Sequence, residues 1–225
     1  MASDTFVIVT ARNEADRLGA TLGALAQAFP GASLWVADDG SHDATADIAQ
    51  AAGARVVGGA RPRGKGQAAT AAARAALASL GSDGIALLCD GDLGESAARL
   101  GPLVDSVTDG EADLAVAAFA RRVGGGLGLA VAFARWAIRR RCGLALNAPI
   151  SGQRALPAAL LTEILPFADG FGMEIAMTID AARTGARVCE VPLDLSHRAT
   201  GRTAAGFLHR ARQLVDFVRV YRRRR

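Results

Sequence analysis

The chain alternates between short, almost wholly apolar runs and longer stretches in which apolar residues recur every three or four positions. Thr5 to Thr10 is a β-branched run that predicts a strand, and Leu18, Leu22, Leu25 and Phe29 follow it at helical spacing. Leu34 to Ala37 and Arg55 to Val57 predict two more strands, separated by a helix through Ile48 that Asp43 is placed to cap. An alanine-rich helix from about Gln67 to Leu80 leads to Ile85–Cys89, a run without a polar side chain that suits a strand buried on both faces. Beyond it the pattern predicts a helix over Ser96 to Val107, a strand over Leu114 to Phe119 and an amphipathic helix over Leu127 to Arg141. Helices near Pro157 to Leu165 and Gly172 to Thr184 and a strand from Val188 to Leu195 come next. A closing helix carries Phe207, Ala211, Leu214, Val218 and Tyr221 on one face. Alternation of this kind predicts an α/β fold with a mostly parallel sheet and right-handed crossovers.

Polar residues punctuate the strand ends in a way that carries chemistry. The second strand stops at Asp38-Asp39-Gly40-Ser41 and the central one at Asp90-Gly91-Asp92. Open α/β sheets bind ligands at the carboxyl ends of their strands, and two carboxylates there suit a hydrated divalent ion bridging to a diphosphate, with Gly91 letting the backbone approach closely. An ordinary acidic turn would look the same over three residues. Lys65 is the only lysine among 26 basic residues, and it lies between Gly64 and Gly66 at a helix start, where a compact ammonium is suited to a phosphate.

Composition narrows the partners. With 225 residues, 51% of them hydrophobic, the chain can bury the core of a single domain. The net charge of +4 is concentrated in clusters at Arg139–Arg141 and Arg222–Arg225, which implies anionic partners. Only 5% of residues are aromatic and no stacking motif interleaves the arginines, so small-molecule phosphates or lipid head groups are expected rather than nucleic acid. Cys89, Cys142 and Cys189 lack metal-ligand spacing, and a reducing cytoplasm is the expected location. No signal peptide or apolar run of about 18 residues is visible, so the chain is expected not to span a membrane, though its basic amphipathic segments could lie on the inner face of one.

Taken in order, Asn13-Glu14, Asp38-Asp39-Gly40-Ser41, Gly64-Lys65-Gly66, Asp90-Gly91-Asp92, Ser151-Gly152-Gln153-Arg154, Glu174 and His197-Arg198 with Gly201 resemble glycosyltransferase family 2. Within it the likeness is to the polyprenyl-phosphate and dolichyl-phosphate sugar transferases, and more weakly to glucosyl-3-phosphoglycerate synthases. The resemblance implies a GT-A fold with a Rossmann-like sheet, a nucleotide-diphosphate sugar donor and Mg²⁺ or Mn²⁺. It implies one domain over residues 1–203, with a donor half to about 95 and an acceptor half from 96, followed by a basic amphipathic helix over 204–225. Thr10, Arg12, Glu14, Asp39, Lys65, Asp90 and Gly91 would bind the donor; Asp90 and Asp92, with His197, would hold the metal. Arg121, Arg154, Arg198 and Arg202 would receive a phosphorylated acceptor, expected to be polyprenyl phosphate, with a soluble phosphoglycerate as the alternative. Asp90, Asp92 and Glu174 are the expected catalytic residues, Glu174 as the base if the acceptor is a hydroxyl. Thr10, Gly94 and Asn147 depart from the residues usual in those relatives, which carry proline, glutamine and aspartate there. Two other classes fit less well. A nucleotidyltransferase would carry a glycine-rich loop where this chain has Ala11-Arg12-Asn13-Glu14, and a non-catalytic nucleotide-binding protein would show no sugar transfer.

Overall fold

A computed structural model describes residues 5–119, 128–195 and 216–224. Seven strands form one sheet in the order β3-β2-β1-β4-β6-β5-β7. They are β1 (Thr5–Ala11), β2 (Ser33–Asp38), β3 (Arg55–Gly58), β4 (Ile85–Asp90), β5 (Leu114–Phe119), β6 (Arg154–Pro157) and β7 (Val188–Leu193). β6 pairs antiparallel with both β4 and β5, while every other pairing is parallel. The fold is therefore the expected α/β arrangement, a mostly parallel sheet flanked by helices.

Successive strand residues face opposite layers, so a strand apolar at every position feeds two cores. Val7, Val9, Leu87 and Cys89 pack beneath α1 (Leu18–Ala28) and α4 (Gly101–Thr108). Phe6, Ile8, Ala86 and Leu88 pack beneath α3 (Lys65–Leu80), α6 (Ala158–Ile164) and α7 (Met173–Arg183). α3 lies close to the sheet because its buried face is alanine, at positions 68, 69, 72, 73 and 76. Between β2 and β3 lies α2 (Thr45–Ala51). A third cluster joins α5 (Leu129–Cys142), through Ala134 and Ile138, to Ile175 and Ile179 of α7 and to Phe217 and Val220 of the C-terminal helix.

Three local differences from the sequence expectation have plain causes. The helix expected over Ser96 to Val107 is a 3-10 turn, Gly94–Leu100, followed by α4, because Pro102 lacks an N–H and is accommodated only in the first turn of a new helix. Asp43 does not cap α2 from the cap position. Its Oδ1 accepts from Thr45 N and its Oδ2 from Ala15 N, which ties the loop after β1 to the loop after β2. β6 was not expected at all, being four residues long with a charged residue at one end and proline at the other.

Candidate active site

The parallel register of β1 and β4 sets Thr10 beside Asp90 at the carboxyl edge of the sheet. Asp90 is the last residue of β4, and its carboxylate is held on both oxygens. Oδ1 accepts from Lys65 Nζ at 2.6 Å and from Thr10 Oγ1 at 3.0 Å; Oδ2 accepts from Gln153 Nε2 at 2.8 Å. Lys65 reaches this point from the first turn of α3, and its ammonium also donates to Glu174 Oε1 at 2.7 Å. Glu174 stands in the first turn of α7 and is buried. One cation thus bridges two carboxylates that lie 84 residues apart in sequence, Asp90 and Glu174.

Burial opposes the charge on Asp90, but the Lys65 ammonium and the hydrogen bonds from Lys65, Thr10 and Gln153 outweigh it and hold the carboxyl below its usual range. Burial likewise works against the Lys65 ammonium, and the two carboxylates outweigh it, raising Lys65 above the usual lysine value. Both groups are charged at neutral pH. Next to them the Cys89 thiol is pushed upward, first by burial and then by Asp90, which leaves it protonated and inert as a nucleophile.

The other expected donor residues surround this cluster. Asp39 Oδ1 accepts from Arg63 N at 2.7 Å and Gly64 N at 2.8 Å, so it shapes the loop that delivers Lys65. Arg12 Nη1 lies 4.0 Å from Asp39 Oδ2 and is about half exposed. Asn13 Oδ1 accepts from His42 N and Asn13 N donates to Ser41 Oγ, while Glu14 N donates to Thr45 Oγ1, so the loop after β1 is laced to the loop after β2. Thr10, where relatives usually carry proline, supplies a hydroxyl to Asp90. The backbone at Gly91 passes close to β1. A Cβ there would meet Ala11 Cβ at 3.2 Å and Thr10 O at 3.3 Å.

Arg154 is placed differently from the other arginines. It is 1% exposed, and its guanidinium donates to the carbonyls of Ser151 and Pro149 and to Thr178 Oγ1. Burial pushes it down to about 10 against the pull of Glu174, Asp90 and Glu190, so it is a cation behind the site rather than an open arm toward an acceptor. Arg121, His197, Arg198 and Arg202 lie outside the described residues. Sequence reasoning missed Gln153. It stood inside a quoted motif, but nothing local showed that it would meet Asp90.

Asp90 and Asp92 are hard oxygen donors of the kind that suit a divalent ion. Among the described residues no cluster of three His, Cys, Asp or Glu side chains is formed. Both Asp90 oxygens are engaged by protein donors, and Asp92, two residues further on, is half-buried. A cleft of about 690 Å³ runs along another flank of α3, bordered by Asp39, Arg61, Arg74, Phe167 and Arg223, and none of Lys65, Asp90, Asp92 or Glu174 lines it. The converging charges, not that volume, mark the candidate site.

Residues 6–143, more than half of the chain, match the family described as Glycosyl transferase family 2. The chain belongs to glycosyl transferase family 2. A comparison with curated proteins gave no match. Among solved structures it is similar to glucosyl-3-phosphoglycerate synthase from Mycobacterium tuberculosis. The complex of that enzyme with phosphoglyceric acid is 27% identical, with a TM-score of 0.74, over 97% of this chain and 80% of that one. Its complex with Mn²⁺, UDP and glucosyl-3-phosphoglycerate is 28% identical, with the same TM-score of 0.74 and coverage of 97% and 80%. Its complex with Mn²⁺, UDP-glucose and glycerol 3-phosphate is 29% identical, again with a TM-score of 0.74 and coverage of 97% and 80%. The chain is accordingly a glycosyltransferase of GT-A fold, and the synthase it resembles is held in complex with Mn²⁺ and UDP.

Proposed function

We propose that this glycosyltransferase moves a sugar from a UDP-sugar to a small, water-soluble phosphorylated acceptor of the phosphoglycerate type. The observation that carries this reading is the likeness, over 97% of the chain, to an enzyme held in complex with UDP-glucose, Mn²⁺ and phosphoglyceric acid. The lipid acceptor expected from the sequence rested on Arg121, Arg154, Arg198 and Arg202, the basic amphipathic helix and the terminal arginines; Arg154 is buried, and parts of the helix and of the terminal cluster are engaged within the fold. The apolar side of α5 is covered by α7 and the C-terminal helix. Arg224 is paired with Asp180 at 2.6 Å, and Arg141 lies over the Tyr221 ring at 3.8 Å and donates to the Tyr221 carbonyl. Among the described residues, no helix is long and apolar enough to cross a membrane.

In the mechanism this implies, Asp92 would hold the divalent ion. When bound, that ion stabilises the charge growing on the departing nucleoside diphosphate. Asp90, clamped by Lys65, Thr10 and Gln153, presents a carboxylate of fixed orientation to the donor, so little reorganisation is needed as charge moves. A glycerate hydroxyl has to lose a proton, and Glu174, a buried carboxylate bonded to Lys65, would be the residue to receive it. A phosphate monoester acceptor would need no such base, because its second pKa of about 6 leaves it largely ionised at neutral pH.

The test offers labelled UDP-glucose and Mn²⁺ with 3-phosphoglycerate, glycerol 3-phosphate or a short-chain polyprenyl phosphate, and follows the label between water and organic solvent. Label in a phosphorylated, water-soluble glycoside is the expected result. Product found only in the organic phase would restore the lipid acceptor and overturn this reading.

A further inference from the structure

We propose that Gln153 is a positioning residue for donor binding, acting through Asp90. Its side chain is 1% exposed, and both ends of its amide are used. Nε2 donates to Asp90 Oδ2 at 2.8 Å, and Oε1 accepts from Ser151 Oγ at 3.0 Å. The Asp90 carboxylate can only accept, so it fixes the amide orientation that turns N–H toward it, and the buried Ser151 hydroxyl donates to the amide oxygen left on the other side. The backbone is fixed as well, because Gln153 O accepts from Ala117 N of β5 and the next residue begins β6.

Room for this contact is built into the chain. A Cβ on Gly152 would overlap the Asp90 carboxylate, so only glycine lets the segment before β6 press against the end of β4. The antiparallel pairing of β6 with β4, Arg154 opposite Leu88, brings Gln153 to the strand end at which Asp90 stands. Lys65 and Thr10 hold Oδ1 alone, and a carboxylate held on one oxygen can still turn about its Cβ–Cγ bond; the Gln153 amide on the second oxygen stops that rotation.

The inference rests on the reading of Asp90 as a donor-binding residue. The experiment is a double-mutant cycle on UDP affinity, measured by isothermal titration in excess Mn²⁺ on wild type, Gln153→Leu, Asp90→Ala and the double variant. Leucine keeps the bulk and removes both hydrogen bonds. Gln153→Leu is expected to weaken UDP binding by about ten-fold or more, as loss of a hydrogen bond to a charged group does. In the Asp90→Ala background the same change should alter affinity by less than about two-fold, since its target is gone. A purely structural glutamine would weaken both backgrounds by the same factor, and that outcome overturns the proposal, as does wild-type affinity in Gln153→Leu. Should Gln153→Leu not fold, Ser151→Ala runs the same cycle, with an expected loss of about three-fold in wild type and none beside Asp90→Ala. Wild-type protein that fails to bind UDP with Mn²⁺ would sink the donor reading itself, a result separate from equal binding by wild type and variant.

Discussion

Lys65 carries the electrostatic balance of the site. Its ammonium lies within 2.7 Å of carboxylate oxygens from two different elements, and the buried Arg154 adds a second positive charge behind them. Removing one partner of a buried ion pair costs about 3–5 kcal/mol, but a quarter of the Lys65 side chain is exposed, so screening reduces the loss to an expected ~2 kcal/mol. Lys65→Ala should therefore lower the urea midpoint by that equivalent and reduce sugar transfer by at least about 100-fold, because Asp90 and Glu174 would then face each other unpaired. Unchanged turnover in Lys65→Ala would show that the bridge is not part of the catalytic arrangement. That Lys65 was special was legible in the sequence, as the only lysine in the chain. Its partners were not, because Glu174 lies 109 residues away and no local pattern joins the two.

The helices hold these residues by close contact more than by capping. None of α1 to α7 has a side-chain hydrogen bond at its N-cap residue, and α3 depends instead on how tightly its start meets the loop at 166–169. A Cβ on Gly66 would overlap the Ala168 carbonyl, and a backbone atom cannot swing aside as a flexible side chain can. Gly66→Ala should therefore destabilise the protein by about 1–3 kcal/mol, as overpacking does, despite the better helix propensity of alanine. Because Lys65 is the neighbouring residue, the variant should also lose activity beyond what its stability explains. Chemical denaturation and a transfer assay well below the unfolding midpoint check the two parts separately. The same scale explains α5. Its period was readable, but periodicity states only that one face is apolar, and the residues that cover it, Ile175, Ile179, Phe217 and Val220, come from other elements.

For the whole molecule the cluster sets a pH window. Asp90 is held below its ordinary value of 3.8, so the stability it contributes is present above that value and is lost as pH falls through its lower folded value. Asp113, lowered by Arg187, behaves in the same direction. Lys65 is raised above its ordinary value of 10.5, so its contribution is present below that value and is lost only as pH rises beyond it. Between about pH 5 and pH 10 these groups should leave stability flat, with a fall on the acid side below 3.8. Urea midpoints across pH for wild type and Asp90→Asn check this: the acid-side slope should be shallower in the variant, and equal slopes would remove Asp90 as a source.

The sequence by itself determined the layers. Short runs apolar at every position suit strands covered on both faces, and the carboxylates that end β2 and β4 fall on one edge because parallel strands point the same way. It also singled out Asp90, Asp92 and Lys65 through chemistry that local context makes conspicuous, and Glu174 through the family resemblance. Only the tertiary structure decided which of these meet, and in what company. β6 carries too few residues for a periodic signal, yet its antiparallel insertion beside β4 brings Gln153 to Asp90 from 63 residues away and turns Arg154 inward. Hydrophobic spacing records which face of an element is buried. The pairing of one charge with another depends on distances through space, and those exist only once the sheet has assembled.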